Sequence, residues 1–378
     1  MYLIERLIGV GSYVGCLIVA VCLLYYYQAD CRKIFAGYTA ALGVMAFCFV
    51  PNPTADLTRI YSMMEKYAEY GVSEFAENYV LSSSTPVANL IYYGIGRTGL
   101  LQLLPMFSAV VTYSCCFYIL YRAAEKFQVS RKNMALALLF YMSTGNYIFV
   151  ISNIRTMMAV SLLMLCFFRE SVEKKWNPLH LLLYGAAALI HNMAVVLLVV
   201  RIVVPLFNGR IALWKRLLIL PAGLVAGFGV AVFKTEWVND ILSKALHYVT
   251  DETYFHRWEY LIAILVGCVV IWLLWELRKA QPKYRQALTG MKTYLILCLV
   301  MAVCMCQVYS IFHRMLTYVA PVLALPVILV VLRRTSGEEA DYQRVLRTRK
   351  ILAAASLVLL VLSCTQGSMT WFKFFALS

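Results

Sequence analysis

The sequence predicts an all-α polytopic integral membrane protein, and three observations carry that prediction. Of 378 residues, 62% are hydrophobic and 14% charged, with a mean hydropathy of +0.74. A soluble domain is nearer half apolar and a quarter charged. Apolar runs close to twenty residues recur from end to end, the length a helix needs to cross a hydrocarbon core of about 30 Å. Lys and Arg gather in the short loops of one side, which hold roughly two thirds of them, as expected of the cytoplasmic face. The net charge of +15 is therefore a topology signal, and nucleic acid is not expected as a partner.

In chain order, a first helix is expected over 7–28, ending in an aromatic belt at Tyr25, Tyr26 and Tyr27. It reads as a retained helix rather than a removed signal peptide. A second covers 34–50 and stops at Pro51-Asn52-Pro53. The polar segment 52–85 follows. In it Leu57, Ile60, Tyr61 and Met64 recur at helical spacing, so part of it should lie at the interface. The apolar piece 86–96 is too short to cross and reads as re-entrant or interfacial. Helices follow at 100–121, 134–150 and 154–169. The run 179–206 is long enough for two short helices meeting at His191-Asn192. Further helices are expected at 216–233, 259–277, 292–308, 314–332 and 350–366. The basic stretches 278–292 and 333–350 read as loops, the latter including Glu339, Asp341, Arg344, Arg347, Arg349 and Lys350. The expectation is about twelve transmembrane helices plus one short element, forming a single domain over 1–378. Segments 52–85 and 234–258 are its outer-face loops with interfacial helices.

Twelve cysteines lie mostly inside apolar runs and read as small buried hydrophobes. None has His or Cys partners at zinc spacing, so no metal site is expected. Gly94-Ile-Gly96-Arg-Thr-Gly99 matches a dinucleotide fingerprint by letter. It follows no strand and opens no βαβ unit, so it is set aside as a nucleotide site.

The candidate site comes from ionisable groups at the ends of apolar runs, where burial is costly and a functional role is the default hypothesis. Asn153-Ile154-Arg155 opens a helix at the expected outer face. Unpaired N–H groups there, with a guanidinium, suit a phosphate or diphosphate. His313-Arg314 is read the same way, at the start of a helix, with Tyr318 one turn further in. His191 falls at the junction of two short helices and can accept a proton at ordinary pH. Asp56 and Arg59 share a helical face. Asp56 is a candidate base or orienting carboxylate, and a local ion pair is the simpler alternative. Arg97 is a candidate to face the same cavity.

The order of these pieces resembles the EpsG/Wzy-type family of bacterial surface-polysaccharide polymerases (O-antigen, capsule, exopolysaccharide). The resemblance rests on Asp56-x-x-Arg59-x-Tyr61, on Asn153-x-Arg155 before an Ala-containing apolar helix, on His191 after an Ala/Leu run, and on Arg314-x-x-x-Tyr318-x-x-Pro321. Family members often read Arg-Gln at the second motif, where this chain has Arg155-Thr156.

The resemblance implies a GT-C-like glycosyltransferase that uses no metal or other cofactor. Its substrates would be undecaprenyl-diphosphate-linked oligosaccharides, polymerised on the outer face of the bacterial cytoplasmic membrane. A flippase and a chain-length regulator are the partners such an enzyme would work beside. On this reading Arg155, Arg314 and Arg59 hold the diphosphate, and His191 or Asp56 activates the acceptor hydroxyl. Asn153, Tyr318, His313, Tyr61 and Arg97 line the substrate. An O-antigen ligase, another lipid-linked glycan or acyl transferase, and a lipid-linked oligosaccharide flippase are the alternatives.

Overall fold

A computed structural model describes residues 2–27, 30–51, 53, 55–144, 147–208, 257–333 and 339–365. The elements that these residues form are helices. Helix α1 (Tyr2–Tyr26) is followed by α2 (Cys31–Phe47). The Asp30 carboxylate caps α2 by accepting from the Arg32 amide at 2.9 Å. The amphipathic helix expected in 52–85 is α3 (Asp56–Glu69), which buries Leu57, Ile60, Met64 and Tyr67. A short α4 (Val72–Phe75) and a π-turn over Ala76–Leu81 lead to α5 (Pro86–Gly96). Pro86 starts that helix where its missing N–H costs nothing.

The expected span at 100–121 is α6 (Leu103–Phe127), 25 residues and so about 37 Å long. Then come α7 (Arg131–Thr144), α8 (Tyr147–Ser152) and α9 (Ile154–Phe168). Helices α10 (Leu179–Ile190) and α11 (Asn192–Phe207) meet at His191, where the sequence places their junction. The rest is α12 (Arg257–Glu276), α13 (Pro282–Ala287), α14 (Thr289–Cys304), α15 (Tyr309–Arg314), a π-turn over Met315–Val319, α16 (Ala320–Val331) and α17 (Glu339–Thr365).

Helices α6, α9 and α16 form the centre. Every residue of α16 is buried, as befits a helix apolar on all sides. Helices α1, α2 and α17 pack on the α6–α7 side, whereas α10, α11 and α14 pack around α9 and one another. The α6–α9 pair is parallel. Ser108 donates to the Val150 carbonyl at one end, and Arg122 bonds Glu173 at the other.

Four expectations change. First, the helix carrying Arg314 begins at Tyr309, so Arg314 lies a turn inside it rather than at its start. Met305 and Cys306 end the previous helix early, and the chain re-enters helix before the polar residues. Second, 339–350 is not a loop. Helix α17 opens at Glu339, because Asp341–Arg344 pairs at 2.7 Å and Arg349 donates to the Asn133 side chain at 2.8 Å. The charges thus support a helix instead of ending one. Third, 278–292 contains the short helix α13. Fourth, twelve crossings are not established. Among the described residues four helices are long and apolar enough to span (Ile8–Tyr26, Leu103–Phe127, Glu259–Lys279, Tyr309–Val331), and three apolar helices are shorter. The expected helix at 216–233, and 234–258 up to residue 256, lie outside the described residues.

Arg201 forms an ion pair with Glu170 at 2.7 Å. This is the end of α9 away from Asn153. Buried His180 lies 3.8 Å from the same carboxylate.

Candidate functional site

The candidate site lies where three interrupted helices come into contact. The first interruption is Asn153, between α8 and α9. It has the N-cap position of α9 but its side chain makes no cap hydrogen bond. Instead its amide Nδ2 donates to the Tyr318 hydroxyl at 3.4 Å. Among the described residues the first-turn N–H groups of α9 are thus left without a side-chain acceptor, at the positive end of the helix dipole.

The second interruption is His191, held in extended backbone between α10 and α11. Its Nδ1 accepts from the Met193 amide at 3.1 Å and caps α11. Its Nε2 lies 3.3 Å from the Thr156 hydroxyl. A ring whose Nδ1 accepts carries its proton on Nε2 when neutral, so His191 presents a donor towards α9.

The third interruption is the π-turn Met315–Val319. Pro321 has no N–H to give the Thr317 carbonyl four residues earlier, and its ring crowds that carbonyl. The helix widens around the defect. The Thr317 hydroxyl also turns back to the His313 carbonyl at 2.7 Å. The widened turn follows Arg314 directly and contains Tyr318. Both Arg314 and Glu259, in the first turn of α12, act electrostatically on the Tyr318 phenol.

The first turn of α9 therefore joins the set. Asn153 reaches Tyr318, Thr156 reaches His191, and Arg155 between them acts on Tyr67 of α3 and Tyr92 of α5. Half-buried Arg155 makes no hydrogen bond or ion pair with another described residue. Asp56 and Arg59 act on the same Tyr92. Burial pushes the Tyr92 phenol up to about 12, with Arg155 pulling the other way. Its buried hydroxyl is a neutral group without a partner among the described residues, as is that of Tyr61.

Other sequence candidates have more local roles. Asp56 and Arg59 pair with each other at 2.5 Å, with half or more of each side chain exposed. Arg97 donates to the Ala68 carbonyl at 3.2 Å and ties α5 to the end of α3. Buried His313 stacks on Tyr309 at 5.3 Å and meets Phe149 and Tyr318 edge-on. It sits behind Tyr318. The letter match at Gly94–Gly99 has a packing explanation. A Cβ on Gly96 would lie 2.5 Å from the Met64 carbonyl oxygen, and Gly99 has a φ of +72°. The first glycine allows α3 to cross α5 closely, and the second makes a turn.

Two residues escaped the sequence reading. Thr156 looked like a departure from a motif, yet it is the contact to His191. Glu259 looked like the first residue of an ordinary span. It has no ion pair or hydrogen bond with a described residue. Its neighbour Tyr260 packs on Tyr309 and Phe312, at 5.1 and 5.2 Å. An acidic residue in a span's first turn was the available signal.

The model of the EpsG family matches residues 90–339. The chain belongs to the EpsG family. It is a membrane protein of the polysaccharide-polymerase-like kind. The match includes Asn153, Arg155, His191, Glu259, Arg314 and Tyr318, and begins after Asp56, Arg59 and Tyr61. No curated protein and no solved structure matches the chain.

Proposed function

We propose that this EpsG-family protein polymerises undecaprenyl-diphosphate-linked oligosaccharide repeat units on the outer face of the cytoplasmic membrane. One observation carries the reading. Arg155 stands on the open N-terminal turn of α9, between two residues that bond Tyr318 and His191 respectively. A dianionic leaving group fits there, between a helix start and guanidinium groups.

The acceptor hydroxyl oxygen attacks the anomeric carbon of the donor sugar. The bond from that carbon to the diphosphate oxygen breaks, and the diphosphate leaves with the electron pair. Arg155 and Arg314, with the α9 N–H groups, stabilise the growing negative charge in a partly desolvated site. A single displacement inverts the anomeric centre. His191 donates through Nε2 and keeps α11 capped, and Asn153 and Tyr318 fix the pocket wall.

The hydroxyl proton goes to a general base. Asp56 is engaged with Arg59 and His191 uses Nδ1 as a cap, so Glu259 is the carboxylate best disposed for that role. His313 acts behind the site by positioning Tyr318.

A strain lacking the protein, complemented with Arg155→Ala, Glu259→Gln or wild type, tests this. Both variants should express normally and accumulate single lipid-linked repeats on the outer face. Long polymer in the Arg155→Ala strain would end the diphosphate assignment. Long polymer in the Glu259→Gln strain would return the base to His191 or Asp56.

A further inference from the structure

A second feature lies away from this site, in a groove of about 810 Å³ between α2 and α6. Along α6 its walls run from Val110 to Arg122, twelve residues or about 18 Å. That is close to the depth of one leaflet, half of a core about 30 Å thick. Its walls are chiefly apolar, with Phe35, Ala36, Ala40 and Phe117 along the length. The polar end is basic: Arg32, Arg122 and Lys175. This is the end that the Lys and Arg asymmetry assigns to the cytoplasm.

The three cations differ. Arg122 is engaged by Glu173 at 2.7 Å and by Glu125, so it builds the wall. Arg32 is oriented rather than neutralised. Its Nε donates to the Tyr121 hydroxyl at 3.0 Å, and its guanidinium lies 5.2 Å from that ring's centre. Among the described residues its Nη groups have no partner. Neither does the Lys175 ammonium, and Trp176 beside it is 61% exposed. An exposed Trp next to an exposed Lys is the composition of a headgroup-level anchor. The proposed catalytic end is elsewhere. Ser108 marks it on α6, and fourteen residues separate Ser108 from Arg122, or about 21 Å.

The geometry points to a binding site for an anionic phospholipid of the inner leaflet, its phosphate held by Arg32 and Lys175 and its acyl chains lying along the α2–α6 groove. Charge complementarity selects the occupant. A zwitterionic lipid would bring its own cation to a rim that already holds two. The groove's depth selects a lipid over a free anion. Its role is to couple α2 to α6, two helices whose outer ends lead to α3 and α5.

The full-length protein in detergent, offered equal phosphatidylglycerol and phosphatidylcholine of matched chains, tests this by native mass spectrometry. The wild type should retain phosphatidylglycerol preferentially. Arg32→Gln with Lys175→Gln should reduce that preference about 25-fold, roughly fivefold per basic residue removed, with the total lipid retained little changed. Ala40→Trp, which fills the groove and leaves the charges, should displace the lipid of either headgroup. Inorganic phosphate should not compete. Ordinary annular lipid would show no preference in the wild type and overturns the proposal. So does a preference that survives both variants, or phosphatidylglycerol lost to inorganic phosphate. If the double variant fails to fold, Ala40→Trp decides alone.

Discussion

Gly96→Ala should loosen α3 from α5, whereas Gly94→Ala, two residues away in the same glycine motif, should not. The contrast follows from contact distances. A Cβ at Gly94 meets nothing within 4 Å, whereas one at Gly96 would lie 2.5 Å from the Met64 carbonyl oxygen. Real Cβ atoms keep at least 3.0 Å. The offending atom is backbone within α3, so it cannot swing aside as a side chain would. The whole of α3 must retreat.

Overpacking of this kind costs about 1–3 kcal/mol. The opening equilibrium of α3 should shift by the same amount, so its amide protection should fall about 5- to 150-fold. Three contacts resist the loss: Asn89 to the Tyr79 carbonyl at 2.6 Å, Tyr93 to that of Tyr70 at 3.2 Å, and Arg97 to that of Ala68. The sandwich of Phe75 on Tyr93 at 4.2 Å also remains. All but the Arg97 contact hold the later segment, and that one holds only the last turn of α3, so the effect should be largest in the earlier turns of Asp56–Glu69. Gly94→Ala should leave protection unchanged or raise it slightly, since Ala favours helix by up to about 1 kcal/mol. Hydrogen–deuterium exchange on peptides from 56–69 reads both. Equal protection in the two variants would refute the crossing argument.

Three further outcomes follow from the same contacts. Pro321→Ala returns an N–H to the Thr317 carbonyl and lets the π-turn tighten, so thermal stability should rise while polymer formation falls. A stable and fully active variant would break the link between the turn and the site. His191→Asn keeps a cap acceptor for α11 and removes the imidazole, whereas His191→Ala removes both and should cost about 1 kcal/mol of stability. Polymer lost in both, with stability lost only in the second, separates the two roles. Arg201→Met leaves Glu170 without its cation in a largely buried position and should cost about 3 kcal/mol. Adding Glu170→Gln should recover most of that in thermal unfolding, and no recovery would mean Arg201 acts through packing.

What was legible in the sequence is what depends on local pattern. The spacing of Leu57, Ile60 and Met64 marks the buried face of α3, and the shortness of 86–96 marks α5. A His-Asn pair inside a long apolar run marks the α10–α11 junction. What was not legible depends on partners far along the chain. Glu339–Lys350 reads as a solvated loop until Arg349 meets Asn133, 216 residues away. Arg314 reads as a helix start, because a polar pair after an apolar run looks like a boundary. The structure instead continues the helix on both sides and places the irregularity one residue later, where Pro321 acts backwards on Thr317. Thr156 and Glu259 gain meaning from His191 and Tyr318 alone, and no local rule connects them.

The interruptions also explain how residues so scattered come into contact. A backbone group without its helical partner costs several kcal/mol against lipid, so such breaks persist where protein or water satisfies them. Here an uncapped helix start, an extended histidine and a widened turn stand in contact through Asn153–Tyr318 and Thr156–His191. Each break removes regular hydrogen bonding from the same region, and on the proposed reading the polar groups so freed serve one substrate. Arg155 lies on α9, the helix whose first turn makes both contacts. On this logic the order of motifs along the chain matters less than the fact that each motif interrupts a helix. On that reading, a substitution that repaired any one interruption would disturb the proposed site without touching an arginine.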